Sequence, residues 1–124
     1  MIILDSSCWL EYFLDGKGAD QYAPTIENSG GIIIPTIVLH EVFKVVMRAR
    51  NEDSALAAAG VLQQFSVILI DENIAMYSAK LGQEHGLAMA DSMILATAQI
   101  HHATLWTQDT DFRNLPNVKY FEKP

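Results

Sequence analysis

The sequence is poor in the features that mark secreted, membrane-spanning and zinc-binding proteins. Its 124 residues include a single cysteine, Cys8, which excludes an internal disulfide and a cysteine-rich zinc site. No apolar run approaches the roughly 20 residues that cross a bilayer. The chain starts directly on the apolar Ile2-Ile3-Leu4, without a basic leader or a cleavage site. We therefore expect a cytoplasmic protein without membrane contact, with Cys8 in its core.

Basic residues are also scarce. Lysine and arginine number 8 against 15 acids, which gives a formal net charge of -7. This sign is unfavourable for a nucleic-acid-binding protein, because neutralisation of phosphates supplies most non-specific affinity. Either nucleic acid is not the substrate, or some of the acids surround bound cations that reverse the local sign. The net charge alone leaves both alternatives open.

The composition that remains is that of a well-packed globular protein. Hydrophobic residues make up 50% of the chain and charged residues 19%. The length suits one domain, residues 1–124, and no linker, repeat or low-complexity tract divides it.

Short apolar runs alternate with stretches of helical periodicity. The runs predict strands at 1–4, 31–35, 67–70 and 104–107, with a candidate fifth at 118–121. The periodic stretches predict helices at 6–14, 36–50, 54–65, 72–85 and 89–101, and Gly86 is the expected C-cap of the fourth. The segment Asp15-Gly16-Lys17-Gly18 ends the first helical pattern, and residues 19–30 carry no predicted helix or strand. In the alanine-rich helix 54–65, the expected apolar positions are Leu56, Ala59, Leu62 and Phe65.

Wholly apolar strands that alternate with helices predict an α/β protein with a parallel sheet covered on both faces. In such folds the functional crevice lies beyond the carboxyl ends of the strands. The positions of the acids can be compared with that rule.

Four acids are expected to converge on one edge of the sheet. Asp5 directly follows the first strand, and Asp109 comes two residues after the fourth. Glu41 falls early in the helix after the second strand, and Asp91 near the start of helix 89–101. Each acid alone has an ordinary alternative, as a helix cap (Asp5, Asp91), a surface acid (Glu41) or a turn residue (Asp109). Their predicted convergence weakens those alternatives.

A cluster of carboxylates needs compensation, because like charges repel and their desolvation costs free energy. Divalent cations would supply it. Oxygen-only ligands, with no histidine or thiol at matching positions, favour Mg²⁺ or Mn²⁺ over zinc. Such a site suits hydrolysis of a phosphodiester, in which bound cations hold a phosphate oxygen and lower the pKa of a bound water.

At these residues the chain resembles the PIN-domain nucleases, and within them the VapC-like toxins of prokaryotic toxin–antitoxin modules. The resemblance covers essentially the whole chain. Four motifs occur in order, each containing one of the acids: Ile2-Ile3-Leu4-Asp5-Ser6-Ser7, Pro35-Thr36-Ile37-Val38-Leu39-His40-Glu41-Val42, Leu87-Ala88-Met89-Ala90-Asp91-Ser92-Met93-Ile94-Leu95-Ala96-Thr97-Ala98 and Leu105-Trp106-Thr107-Gln108-Asp109-Thr110-Asp111-Phe112. The third is the most specific.

The resemblance implies a three-layer α/β/α sandwich with a mostly parallel central sheet of four to five strands. It implies Mg²⁺ or Mn²⁺ bound by Asp5, Glu41, Asp91 and Asp109, and endonucleolytic cleavage of RNA. It also implies a homodimer and neutralisation by a cognate antitoxin, as for the toxin of a type II toxin–antitoxin pair.

Residues around the four acids have candidate supporting roles. Ser6 and Thr107 are expected to hold carboxylates through hydrogen bonds, although Thr107 also fits as an ordinary strand residue. Asp111 either assists the metal site or caps the turn before Phe112, and the cap is the favoured interpretation. Three bases are candidate contacts to RNA phosphates, with a solvated surface as the alternative: Lys44, Arg48 and Arg113.

Other classes of protein remain as rivals. A catalytically silent PIN-like domain that binds a partner protein is the main alternative. A signalling receiver domain would need a paired acid after the first strand and a lysine after the last, and both are missing. A haloacid-dehalogenase-like hydrolase would need Asp at position 7, where Ser7 stands.

Overall fold

Five short parallel strands form the centre of the fold in this computed structural model, which describes residues 1–28 and 30–124. They are β1 (Ile2–Leu4), β2 (Ile33–Pro35), β3 (Ser66–Ile68), β4 (Thr104–Thr107) and β5 (Val118–Tyr120). One ladder has the order β1-β4-β5, and β2 pairs with β3 in a second. A parallel bridge between Ile2 and Ile32 joins the two. The predicted α/β class with a parallel sheet is confirmed.

Six α-helices connect and cover these strands in the described ranges. They are α1 (Ser6–Phe13), α2 (Ala19–Asn28), α3 (Thr36–Ala49), α4 (Glu52–Leu62), α5 (Glu72–His85) and α6 (Met89–Ile100), and a 3₁₀ turn follows β4 at Thr110–Phe112. Gly86 ends α5 with a φ of 65°, so the predicted C-cap is confirmed. None of the helices in the described part of the chain is long and apolar enough to cross a membrane.

Helix α2 was not expected from the sequence. It contains Pro24, which cannot donate the helical hydrogen bond and normally argues against a helix interior. Only Tyr22 and Ile26 are buried on it, one turn apart. This pair is too small an apolar pattern to predict a helix, but it is enough to pack α2 on the core.

The boundaries of α4 and β3 differ from the prediction. Asn51 accepts a hydrogen bond from the Ser54 amide at 2.8 Å, so α4 begins at Glu52 rather than at residue 54. Its buried face consists of Ala55, Ala58 and Leu62, whereas Leu56 is 54% exposed. The small alanines allow α3 and α4 to pack closely. The free energy gained from this close packing exceeds the gain that burial of Leu56 would give. Strand β3 lies at Ser66–Ile68 rather than at 67–70, and the next two residues lead into α5.

The core lies where the sheet meets the helices. Ile3 and Leu4 of β1, Ile34 of β2 and Leu105 of β4 have no exposed surface, and neither has Cys8 at the start of α1. The core position predicted for Cys8 is confirmed. Because the strand interiors are apolar and buried, the polar residues that follow them are the first to reach the edge of the sheet.

The two glycines Gly86 and Gly60 provide a paired test of the fold. Gly86→Ala places a side chain in a left-handed conformation and should lower the free energy of unfolding by about 1 kcal/mol. Gly60 lies inside α4 with no atom near an added Cβ, so Gly60→Ala should raise it by about 0.5–1 kcal/mol. Urea denaturation measures both. A change in the free energy of unfolding of the same sign for both substitutions would contradict the assigned helix boundaries.

Candidate active site

Pairing between β1 and β4 places Asp5 beside Thr107. Leu4 lies opposite Trp106, and the Asp5 amide donates to the Trp106 carbonyl at 2.9 Å. The Thr107 hydroxyl then donates to Asp5 Oδ2 at 2.5 Å and accepts from the Asp109 amide at 2.9 Å. One buried hydroxyl therefore fixes the positions of the acids that follow both strands.

Asp5 has two roles in this arrangement. Its Oδ1 atom caps α1 by accepting from the Cys8 amide at 3.3 Å, and it also accepts from the Ser7 hydroxyl. The side chain is 3% exposed. Burial raises the pKa of Asp5, the hydrogen bonds from Ser7, Thr107 and Cys8 lower it, and the charge of Asp109 raises it again. The capping alternative is thus correct, and it does not remove Asp5 from the acid cluster.

Glu41 reaches the same region from α3. That helix begins directly after β2, and Glu41 lies on its second turn, half-buried. Ser6, the first residue of α1, donates its hydroxyl hydrogen to Glu41 Oε1 at 2.9 Å. The two neighbouring serines therefore serve two different acids, Ser6 holding Glu41 and Ser7 holding Asp5.

Asp91, Asp109 and Asp111 form a close group of carboxylates. One oxygen of each lies within 4.8 Å of the others. Ala88 occupies the cap position of α6, so the alternative of Asp91 as N-cap is wrong. Asp109 caps the 3₁₀ turn by accepting from the Asp111 amide at 2.9 Å. The interpretation of Asp111 as the cap is therefore also wrong, and its carboxylate lies in the cluster instead.

The neighbouring acids raise the proton affinity of Asp91. Burial raises the pKa of Asp91 to about 6, with further contributions from the charges of Asp109, Glu41, Asp5 and Asp111, in that order. The other three predicted acids therefore all act electrostatically on Asp91, as the predicted convergence requires. Their donor atoms are all carboxylate oxygens, which fit a hard divalent cation of the Mg²⁺ or Mn²⁺ type.

The three candidate RNA-binding bases lie at separate places. Lys44 is exposed and lines a groove between α3 and α4 whose lining includes none of the four acids. Arg48 is exposed near the end of α3. The Arg113 guanidinium lies 5.1 Å from the centre of the Tyr120 ring. Their contact with RNA stays a prediction.

Two supporting residues had no signal in the sequence. Gln108, between Thr107 and Asp109, is 2% exposed and donates from Nε2 to the Tyr22 hydroxyl at 2.7 Å. This bond holds the segment after β4 against α2. No local pattern connects two residues that are 86 positions apart, and α2 itself was not predicted.

The family model of the PIN domain matches residues 2–118. The chain belongs to the PIN-domain family. The predicted resemblance to the PIN-domain family and the predicted three-layer α/β/α fold are therefore confirmed.

Solved structures agree with this assignment. A toxin–antitoxin complex from Klebsiella pneumoniae contains a chain that is 30% identical, with a TM-score of 0.83 over 98% of this chain and 99% of that one. VapC20 from Mycobacterium tuberculosis, a toxin that cleaves the sarcin–ricin loop, has a TM-score of 0.77 at 16% identity over 90% and 92% of the two chains. FitAcB from Neisseria gonorrhoeae has a TM-score of 0.73 at 23% identity over 99% and 98%. The latter two show a shared fold. A search of curated proteins gives no match.

The raised pKa of Asp91 predicts a pH-dependent stability in metal-free protein. The Asp91 carboxyl has a pKa of 3.8 in the unfolded chain and about 6 in the folded protein, so the folded state binds the proton more tightly. The contribution of this group to the free energy of unfolding therefore falls as the pH rises from 3.8 to about 6. Asp91→Asn should therefore stabilise the protein relative to wild type more at about pH 7 than at about pH 4.5. Thermal unfolding in EDTA measures the difference.

Asp53→Asn is the matched control, because Asp53 is an exposed acid in the first turn of α4. It should show no comparable gain between the two pH values. A gain of equal size in both variants, or none in Asp91→Asn, would contradict the proposed crowding of charge around Asp91.

Proposed function

We propose that this protein is a Mg²⁺- or Mn²⁺-dependent endoribonuclease that acts in the cytoplasm. The observation that carries the proposal is the convergence of Asp5, Glu41, Asp91 and Asp109 at one edge of the sheet in a PIN-domain fold. Acids that are this close raise the free energy of the metal-free protein, and a bound cation would relieve it.

The roles of the acids follow from their surroundings. Asp91 and Asp109, with Asp111 beside them, offer oxygens close enough to share a cation. Asp5 is fixed by three hydrogen bonds and offers a rigid fourth carboxylate. Glu41 accepts a hydrogen bond from Ser6 and is not part of the close group of Asp91, Asp109 and Asp111, which suits it to orient a water or to complete the ligand shell. A divalent ion held there would supply charge for the phosphate and a more acidic bound water.

The unfavourable net charge is consistent with this proposal. Five of the 15 acids are the four predicted ones and Asp111, and four of these five raise the pKa of the fifth, Asp91. With cations bound, this part of the surface would attract a phosphodiester rather than repel it. The cluster therefore accounts for part of the unfavourable net charge.

We further propose that the protein is the toxin of a type II toxin–antitoxin pair, with a cognate antitoxin and a homodimeric state. The support is the 30% identical chain of the Klebsiella pneumoniae toxin–antitoxin complex, which aligns over almost the full length of both chains. VapBC2 from Rickettsia felis and VapBC from Salmonella typhimurium, both bound to DNA, share the fold at 19% and 16% identity.

Cleavage of a labelled RNA mixture by purified protein tests the activity. Wild type should cleave with Mg²⁺ or Mn²⁺ and stop in EDTA. Asp91→Asn should lower kcat about 100-fold or more, because it removes one ligand and one charge from the cluster. Asp53→Asn should cleave like wild type. Full activity in EDTA or in Asp91→Asn would overturn the metal–carboxylate mechanism.

Absence of cleavage by intact wild type that still binds Mn²⁺ would favour the silent protein-binding domain instead. Circular dichroism of each variant distinguishes this result from misfolding.

A further inference from the structure

A cavity of about 370 Å³, lined by residues that carry polar groups, opens beside Asp109. Its lining combines a carboxylate of the acid cluster, a cation and an aromatic ring: Ser7, Gln108, Asp109, Thr110, Tyr120 and Lys123. Neither Tyr120 nor Lys123 belongs to the motifs that carry the family resemblance. By contrast, the large groove between α3 and α4 is mostly apolar and includes no member of the cluster.

We propose that this cavity binds one nucleotide of a single-stranded RNA next to the scissile phosphate, with Lys123 on a backbone phosphate and Tyr120 against the base. This inference rests on the proposed ribonuclease activity and assigns it a substrate subsite. The cavity is within the size range of small-molecule sites, which begins at about 300 Å³.

The charges in the cavity suit a nucleotide. Asp109 at one side belongs to the cation site, so the scissile phosphate would lie there. The Lys123 ammonium is the cationic group in the lining, and an acidic protein has few such groups to offer a neighbouring phosphate. The Arg113 guanidinium lies 5.1 Å from the centre of the Tyr120 ring, so a second positive charge is next to one residue of the lining.

The aromatic ring suits a base. Tyr120 is half-buried at the end of β5 and therefore has a restricted position. Its pairing with Thr107 across β4 and β5 places it level with the residue that fixes Asp5 and Asp109. Stacking on such a ring is typical of single-stranded RNA recognition, because unpaired bases expose their faces.

Lys123→Gln is the first test, since the residue is exposed and its loss should not disturb the fold. KM for RNA cleavage should rise about fivefold to tenfold with kcat within about twofold, and Lys123→Arg should restore KM. Tyr120→Leu should raise KM similarly, whereas Tyr120→Phe should not. Lys80→Gln, an exposed lysine on α5, is the matched control and should leave KM unchanged.

A binding measurement separates failure of this inference from failure of the proposed activity. The probe is a fluorescein-labelled single-stranded RNA of about 12 nucleotides, bound to Asp91→Asn protein so that the strand stays intact. Adding Lys123→Gln should weaken binding at least fivefold. It should also reduce the slope of log affinity against log salt concentration by about one, the value for one phosphate contact.

If wild type cleaves RNA but Lys123→Gln changes neither KM nor affinity, or Lys80→Gln changes them equally, the cavity is not an RNA subsite. If wild type does not cleave, the binding result alone decides: loss of affinity on Lys123→Gln supports the subsite, and unchanged affinity overturns it.

Discussion

Asp5 is almost completely buried and lies among other acids, so its position depends on the hydrogen bonds that surround it. The central one comes from Thr107, which donates to Asp5 and accepts from the Asp109 amide. This bond exists only because β1 and β4 are parallel neighbours in the observed register. The strand pairing, the helix cap at Asp5 and the acid cluster are therefore parts of one arrangement, and a change in register would disrupt all three.

The arrangement positions the carboxylates but does not neutralise them. Ser7 and Thr107 donate to Asp5 and Ser6 donates to Glu41, and all three donors are neutral. Burial and the charges of the neighbouring acids raise the pKa of Asp91 to about 6. Acids that are held close together by neutral donors raise the free energy of the metal-free protein. A preorganised ligand set of this kind lowers the reorganisation needed when a cation binds, which is how such strain at functional sites contributes to function.

Much of the fold and of the acid cluster could be predicted from the sequence. The rest could not, for physical reasons that differ from residue to residue. Asp5 and Asp109 follow strands whose apolar runs are unambiguous, so their convergence follows from parallel topology. Glu41 and Asp91 lie on helices whose rotation about their axes is set by packing, so the motifs were needed to select them. Helix α2 has too few apolar residues for a periodic pattern and contains a proline. The contacts of Asp111 depend on which of two neighbouring acids caps a three-residue turn, a choice that local sequence does not determine.

The account depends on the acid cluster being a divalent-cation site, and titration of metal-free protein with Mn²⁺, followed by electron paramagnetic resonance, tests this most directly. Wild type should show saturable binding at the cluster. Asp109→Asn should weaken that binding about tenfold or more, while Asp20→Asn, an exposed acid in the first turn of α2, should leave it unchanged. Absence of saturable binding in folded wild type, or equal affinity in Asp109→Asn, would contradict the account.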